Sequence, residues 1–389
     1  MVFFRRLSYA ILVLAGVHGL IAQTVNCPQK PQPDCCFYQG DALLGCQCKP
    51  AYNLPAAIAV TNKWCGCYTV FIDASFIYWH ADEEGLEVAR SAPISPTGAI
   101  LLPQHRVFLS QDFEYKPGFK VGAGITGENQ WMLYSEYTWI RDRMSQSNST
   151  PPPPDFAVDR GVWAPTSWFE QSTATGGLIG ANAVSSTWHL NMDLADLNLS
   201  RPFYQGRALT IAPFAGLQAA WIRQSMVVAI HVAPESFGAG NLLPQPISSV
   251  NRSHCWGIGP KIGCNGYCLF PMGFRLQGNA SAAVLYTRYT KVVRKENGAS
   301  TLFSPGPYKA QLTDYNCLRP ISELGLGIGW GSYLSCQNYH IDFSATYDFL
   351  IFWQQNMMRK LADMGESSLG NAPLDLHLHG LTLTGRFDF

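Results

Sequence analysis

Apolar and polar residues alternate with period two over unusually long stretches of this chain. Tyr68, Val70, Ile72, Ala74, Phe76 and Tyr78 share one face, with Thr69, Asp73 and Ser75 on the other. Phe119, Val121, Ala123 and Ile125 likewise oppose Lys120, Gly122, Gly124 and Thr126, and Trp131, Leu133, Tyr137 and Trp139 oppose Tyr134, Glu136 and Thr138. Further on, Trp188, Leu190, Met192 and Leu194 alternate with His189, Asn191 and Asp193, and the same rhythm runs through 323–331 and 341–351. Period two is the signature of strands with two unlike faces.

Length and the placement of aromatics separate two kinds of strand. Strands of globular proteins average about 5–6 residues, whereas a tilted membrane strand needs about 9–11. These segments reach the longer figure. Their apolar faces are bracketed by rings, as Tyr68/Tyr78 and Trp131/Trp139 show, which is what two membrane–water interfaces favour. Ten spans follow, near 68–80, 113–126, 129–141, 184–199, 207–222, 254–264, 271–295, 318–333, 338–355 and 374–389. The links between them alternate, long after odd spans and short after even ones, as in an outer-membrane barrel with short periplasmic turns and long extracellular loops. The expected fold is an all-β, transmembrane, antiparallel up-and-down barrel of about ten strands (range 10–16). Pro213 and Pro260 are awkward inside strands of a closed barrel, and 226–232 has the character of a further strand. A secreted β-sandwich is the soluble alternative.

The N-terminus supports export. Arg5 and Arg6 precede an apolar run from Leu7 to Ala22, about 15 residues and short for a membrane helix of roughly 20. The domain reading is a signal peptide at 1–22, a cysteine-rich periplasmic segment at 23–66 and the barrel at 67–389. Charged residues are 14% of the chain and aromatics 13%, against roughly a quarter charged in soluble domains. Acidic and basic residues balance at a net charge of zero, so no nucleic-acid partner is expected.

The last strand ends on the aromatic itself. In "LTLTGRFDF", Leu381, Leu383, Gly385, Phe387 and Phe389 share one face, and Phe387 and Phe389 form the terminus that barrel assembly would read. The segments "GCYTVFIDASFIYWHADEEGLEVA", "YKPGFKVGAGITG", "WMLYSEYTWIR", "RPFYQGRALTIAPFAGLQAAWI", "CWGIGPKIG" and "LHGLTLTGRFDF" together resemble the Legionella-type major outer membrane protein family, which also occurs in chlamydia-related bacteria. The resemblance implies a β-barrel surface protein of the bacterial outer membrane, regarded as a porin, with some members implicated in host-cell attachment. It brings no catalytic residues. The cysteine-rich start resembles, in its style of cysteine use, the chlamydial major outer membrane proteins, whose disulfides cross-link the envelope.

Candidate chemistry is sparse. Gly122, Gly124 and Gly127 satisfy G-x-G-x-x-G, but no helix follows. The pairs His80/Asp82, His340/Asp342 and His189/Asp193 lack a neighbouring nucleophile, so no enzyme activity and no cofactor is expected. Twelve cysteines suit disulfides in an exported chain: Cys27, Cys35, Cys36, Cys46, Cys48, Cys65, Cys67, Cys255, Cys264, Cys268, Cys317 and Cys336. Zinc on Cys46, Cys48, Cys65 and Cys67 is the competing reading, and no metal is expected. Cys255 and Cys317, near the outer rim, are expected to pair with each other or with a neighbouring molecule.

The function that follows is a porin passing small hydrophilic solutes, with a disulfide-stabilised structural role. Its lumen would be lined by Asp73, Lys120, Glu136, Asp193, Gln218, Lys261, Arg275, Gln277, Glu323, Asp342, Asp348 and Arg386. Expected partners are outer-membrane lipid, the solutes, a second copy of the chain or disulfide-linked envelope proteins. The alternative is a surface adhesin or structural envelope protein, because a barrel of only ten strands is narrow enough for side chains to fill.

Overall fold

The computed structural model describes residues 68–93, 107–127, 130–148, 161–169, 180–206, 208–232, 246–297, 308–334, 339–366 and 373–389. The predicted signal peptide and cysteine-rich segment, with Cys27 to Cys67, and also Cys336, lie outside them.

Ten long strands form the wall: β1 (Tyr68–Glu83), β4 (Tyr115–Gly127), β5 (Met132–Asn148), β7 (Ala181–Ser200), β9 (Leu209–Val232), β10 (Ile247–Leu269), β11 (Phe274–Asn297), β13 (Tyr315–Leu334), β14 (Tyr339–Asn356) and β15 (Leu374–Asp388). Each pairs antiparallel with its sequence neighbour in the wall, and β15 returns to pair with β1 from Phe71↔Asp388 to Glu83↔Leu376. The ring is therefore closed and has no free edge, the arrangement that satisfies backbone groups in lipid. All ten predicted spans are present, and 226–232 is the outer end of β9 rather than an eleventh strand. Short strands decorate the ends: β2 (Ala89–Pro93), β3 (Phe108–Leu109), β6 (Gly161–Pro165) and β12 (Tyr308–Leu312) at the long-loop end, and β8 (Tyr204–Gln205) at the other.

Both prolines fall where a missing N–H is harmless. Pro213 lies just beyond the last β7–β9 pair, Ser200↔Phe214. Its own carbonyl still accepts from the Arg201 N–H. Around Pro260, the β10–β11 ladder passes from Ile258↔Tyr286 to Lys261↔Ala283 without pairing the two residues between.

Five strands run to 20–24 residues, about twice the span of a membrane. The wall thus projects well past the apolar band, and a cap fills the projecting part. The strand β6 extends the sheet from β7 through Trp163↔Ala181, and β2 pairs with β6. A helix, α1 (Met357–Glu366), follows β14. Asn356 caps it by accepting the Arg359 N–H at 2.9 Å, and donates its own amide to the Glu84 carbonyl at 2.7 Å. Arg359 then ties the helix to the cap through the Ser167 hydroxyl and the Trp168 ring.

Gly259 faces the interior beside the ladder gap, where a Cβ would sit 1.9 Å from the Val284 carbonyl oxygen. Gly259→Ala is expected to destabilise the barrel by about 2 kcal/mol in urea unfolding from micelles. Gly385→Ala, whose Cβ would meet nothing nearer than Phe343 at 3.5 Å, should leave the transition unmoved.

Candidate functional site in the barrel lumen

Alternation of burial fixes which face of each strand points inward. In the half nearer the short turns the inward side chains are charged, and every cation there is held by one or more carboxylates. Lys261 donates to Glu323 Oε2 at 2.6 Å and to Asp196 Oδ1 at 3.2 Å. Gln218 Nε2 donates to the other Glu323 oxygen at 2.6 Å, and the Ser281 hydroxyl also donates to Glu323. This one cluster joins β7, β9, β10, β11 and β13 from inside. A second forms around Lys120 Nζ, 3.5 Å from Glu136 and 3.8 Å from Asp348, which accepts the Thr382 hydroxyl. Arg275 grips Asp342 with both terminal nitrogens, Nη2 to Oδ1 at 2.8 Å, and its Nε donates to Gln277. Arg386 donates to Asp388, whose other oxygen lies 3.1 Å from His340 Nδ1.

Glycines make room for these groups. A Cβ on Gly122 would lie 2.4 Å from the Asp73 carboxylate, and one on Gly329 would lie 2.6 Å from the Arg275 guanidinium. The alternating glycines of β13 therefore serve as beds for polar side chains from neighbouring strands.

The outer half of the interior is different. Ile77, Trp79, Trp188, Leu190, Met192, Met226, Leu285 and Phe352 point in from the wall and pack with Leu86, Val88, Trp163, Trp168, Met358 and Leu361 of the cap in one buried cluster. Polar bonds cross it. Gln224 on β9 donates to Glu83 on β1 at 2.5 Å, a link between strands four places apart round a ring of ten. Tyr289 on β11 donates to Gln355, whose amide reaches Cys255 Sγ on β10 at 3.2 Å.

Of the twelve residues predicted to line the lumen, Asp73, Lys120, Glu136, Gln218, Lys261, Arg275, Gln277, Glu323, Asp342, Asp348 and Arg386 face inward. Asp193 does not. On β7 the buried face is Trp188, Leu190, Met192 and Leu194, so Asp193 and His189 face outward. There Asp193 accepts from Arg141 at 2.8 Å and from the Tyr137 hydroxyl at 2.7 Å. Parity was misread because the apolar face of this segment packs on the cap instead of lipid. The same inversion hides Asp196, whereas Glu83 and Gln224 share the inward parity of Asp73 and Gln218 and lie beyond the predicted spans 68–80 and 207–222.

The expected Cys255–Cys317 bond is also corrected. Both are free thiols on inward faces, and their register partners on the intervening β11 are Tyr289 and Thr287. Strands two places apart are about 9.6 Å from one another, beyond the reach of a disulfide. Cys264 and Cys268 are free on the outward face of β10.

Of the histidine pairs, His340 and Asp342 are bound into the ion-pair lattice, while His80 stacks on His379 outside the wall at 4.9 Å. Glu84, Asp375 and His377 bring three potential metal-ligand atoms within 4.8 Å at the outer rim. Glu84 already accepts the Asp375 N–H there and lies 3.3 Å from His377 Nε2.

Because Lys261 balances two buried carboxylates, removing it alone leaves uncompensated charge. Lys261→Met should lower stability by about 3 kcal/mol, and adding Asp196→Asn and Glu323→Gln should restore most of it. Urea midpoints of the three proteins check this.

Several solved structures match the chain at low similarity. The outer membrane protease OmpT of Escherichia coli is 10% identical over 82% of this chain and 96% of its own, with a TM-score of 0.37. A FadL homologue of Pseudomonas aeruginosa is 10% identical over 83% and 90%, at 0.22. The Pseudomonas putida toluene transporter TodX is 7% identical over 87% and 94%, at 0.21. No curated protein matched the sequence. The family model described as Legionella pneumophila major outer membrane protein precursor matches residues 65–389. With its closed ten-strand wall and that match over nearly the whole barrel, the chain is a bacterial outer-membrane barrel and belongs to the Legionella major outer membrane protein family.

Proposed function

We propose that this chain is a structural and surface-presenting barrel of the outer membrane whose lumen is closed at rest. The observation that carries the reading is the filled outer half, where cap and wall share one buried apolar cluster and Glu83 bonds Gln224 across the bore. Solute passage through such a barrel needs the cap to leave. The protein works without catalysis and without a cofactor, in contact with lipid through its outward apolar band. Cross-linking through cysteines belongs to the same reading. The chain enters β1 at the short-turn end, the end at which Cys264 and Cys268 face outward, so the cysteine-rich segment joins the barrel on the periplasmic side.

A second reading, a porin gated by its cap, is favoured by one observation. Water reaches the lower lumen, where the side chains of Glu136 and Arg386 are 31% and 27% exposed. Planar-bilayer recording separates the two. Refolded full-length protein is expected to leave the bilayer at baseline, and Trp163→Ala with Trp168→Ala, which undercuts the cap, should produce openings. Steady discrete channels from the unaltered protein would overturn the closed-lumen reading in favour of the porin.

A further inference from the structure

The outward face carries a pattern that neither lumen nor cap requires. On four strands an aromatic residue at the edge of the apolar band is followed, one outward position further from the membrane, by an arginine or a histidine. Trp139 is followed by Arg141 on β5, Trp221 by Arg223 on β9, Trp256 by His254 on β10 and Tyr286 by Arg288 on β11. Register sets them side by side, with Arg141 beside Asn191, Asn191 beside Arg223, Arg223 beside His254 and His254 beside Lys291. A second row lies beyond it, Arg143 beside His189 and Ser225 beside Arg252. Five adjacent strands make a basic field about 19 Å wide.

Carboxylates meet only part of this charge. Arg141 pairs with Asp193, and Arg288 with Asp314. Among the described residues no carboxylate lies within ion-pair distance of Arg143, Arg223, Arg252 or Lys291. Arg223, Arg252 and Lys291 all act on the same histidine, His254, so like charges crowd here. A solvated face would mix signs. The other side of the wall, towards the long-loop end, does not repeat the pattern. Its outward positions are Asn316 and Leu318 on β13, Ile351 and Trp353 on β14, His377 and His379 on β15, and His80 and Asp82 on β1.

The row of rings fixes the height of the membrane–water boundary, and the long-loop end is the extracellular one. The guanidinium groups therefore sit at the level of the outer-leaflet headgroups, which in an outer membrane are those of a phosphorylated glycolipid. Guanidinium and phosphate are matched in geometry and charge. We propose that the outer face of β5, β7, β9, β10 and β11 is a docking surface for the phosphates of that glycolipid, held by Arg143, Arg223, Arg252 and Lys291.

Native mass spectrometry on the full-length protein, refolded in uncharged detergent and titrated with bis-phosphorylated lipid A, tests this. Because the four side chains point away from the barrel interior, R143Q/R223Q/R252Q/K291Q should keep the heat-modifiable migration of a folded barrel. That variant is expected to bind lipid A at least about tenfold more weakly, as lost charge-assisted contacts imply. Enzymatically dephosphorylated lipid A should bind the unaltered protein no better than lipid A binds the variant. Equal affinity of the folded variant for lipid A, or undiminished binding of the dephosphorylated form, overturns the proposal. Phosphatidylglycerol binding as tightly as lipid A would also overturn it, because the surface would then read negative charge without selecting the glycolipid.

Discussion

A strand inside lipid has no water to complete its hydrogen bonds, so the sheet must close on itself before anything else about this molecule can be stable. Closure falls to the first and last strands, which meet only after the whole barrel has been laid out. At that seam Val70 and Phe389 exchange backbone bonds at 3.0 and 2.8 Å. The seam register also places Asp73 opposite Arg386 and Ser75 opposite Thr384, whose hydroxyls bond at 2.8 Å. One slipped residue there would turn the inward polar groups of β15 towards lipid.

Closure at ten strands leaves a bore that side chains can fill, and the filling differs along the axis because the outside differs. Where the wall faces lipid, the apolar residues are outside and the charges inside. Where it rises into water the order inverts. On β7 the apolar residues Ala195, Leu197 and Leu199 face out, while a few positions outward Trp188, Leu190, Met192 and Leu194 face in. β5 makes the same change between Trp139 outside and Ile140 and Met144 inside, with Arg141 and Arg143 taking over the outer face. The switch of apolar parity within one uninterrupted strand marks the membrane boundary.

That inversion also explains what the sequence could disclose. Strand number, strand positions, the short-turn and long-loop ends and eleven inward polar residues were legible, because in the membrane zone only one face is apolar. Asp193 was placed wrongly because an apolar face bound for a cap and one bound for lipid look alike in a single segment. The cap itself was invisible, since β2, β6 and α1 are short and each is buried by partners far away in sequence, such as Arg359 against Ser167. Asp196 is recoverable from the parity switch read as a boundary, and Gln224 from continuing the parity of Gln218 along the full length of β9.

The two zones are held together by different forces. Above the membrane, water surrounds the wall, and burying Trp163, Trp168, Trp188 and Met226 gains the full hydrophobic driving force. Within the membrane that force is missing between wall and surroundings, since lipid tails are as apolar as leucine. Cohesion of the lower barrel therefore rests on its ladder and on the inward charges, and a buried charge is tolerable only if paired. Lys261 with Asp196 and Glu323, Lys120 with Glu136 and Asp348, and Arg275 with Asp342 meet that condition with each charge set against its opposite. With three cations set against five carboxylates this lattice is acidic on balance, and it braces strands that no apolar core braces. The charges that on the sequence alone suit a wet conduit thus have a structural task that does not depend on conduction.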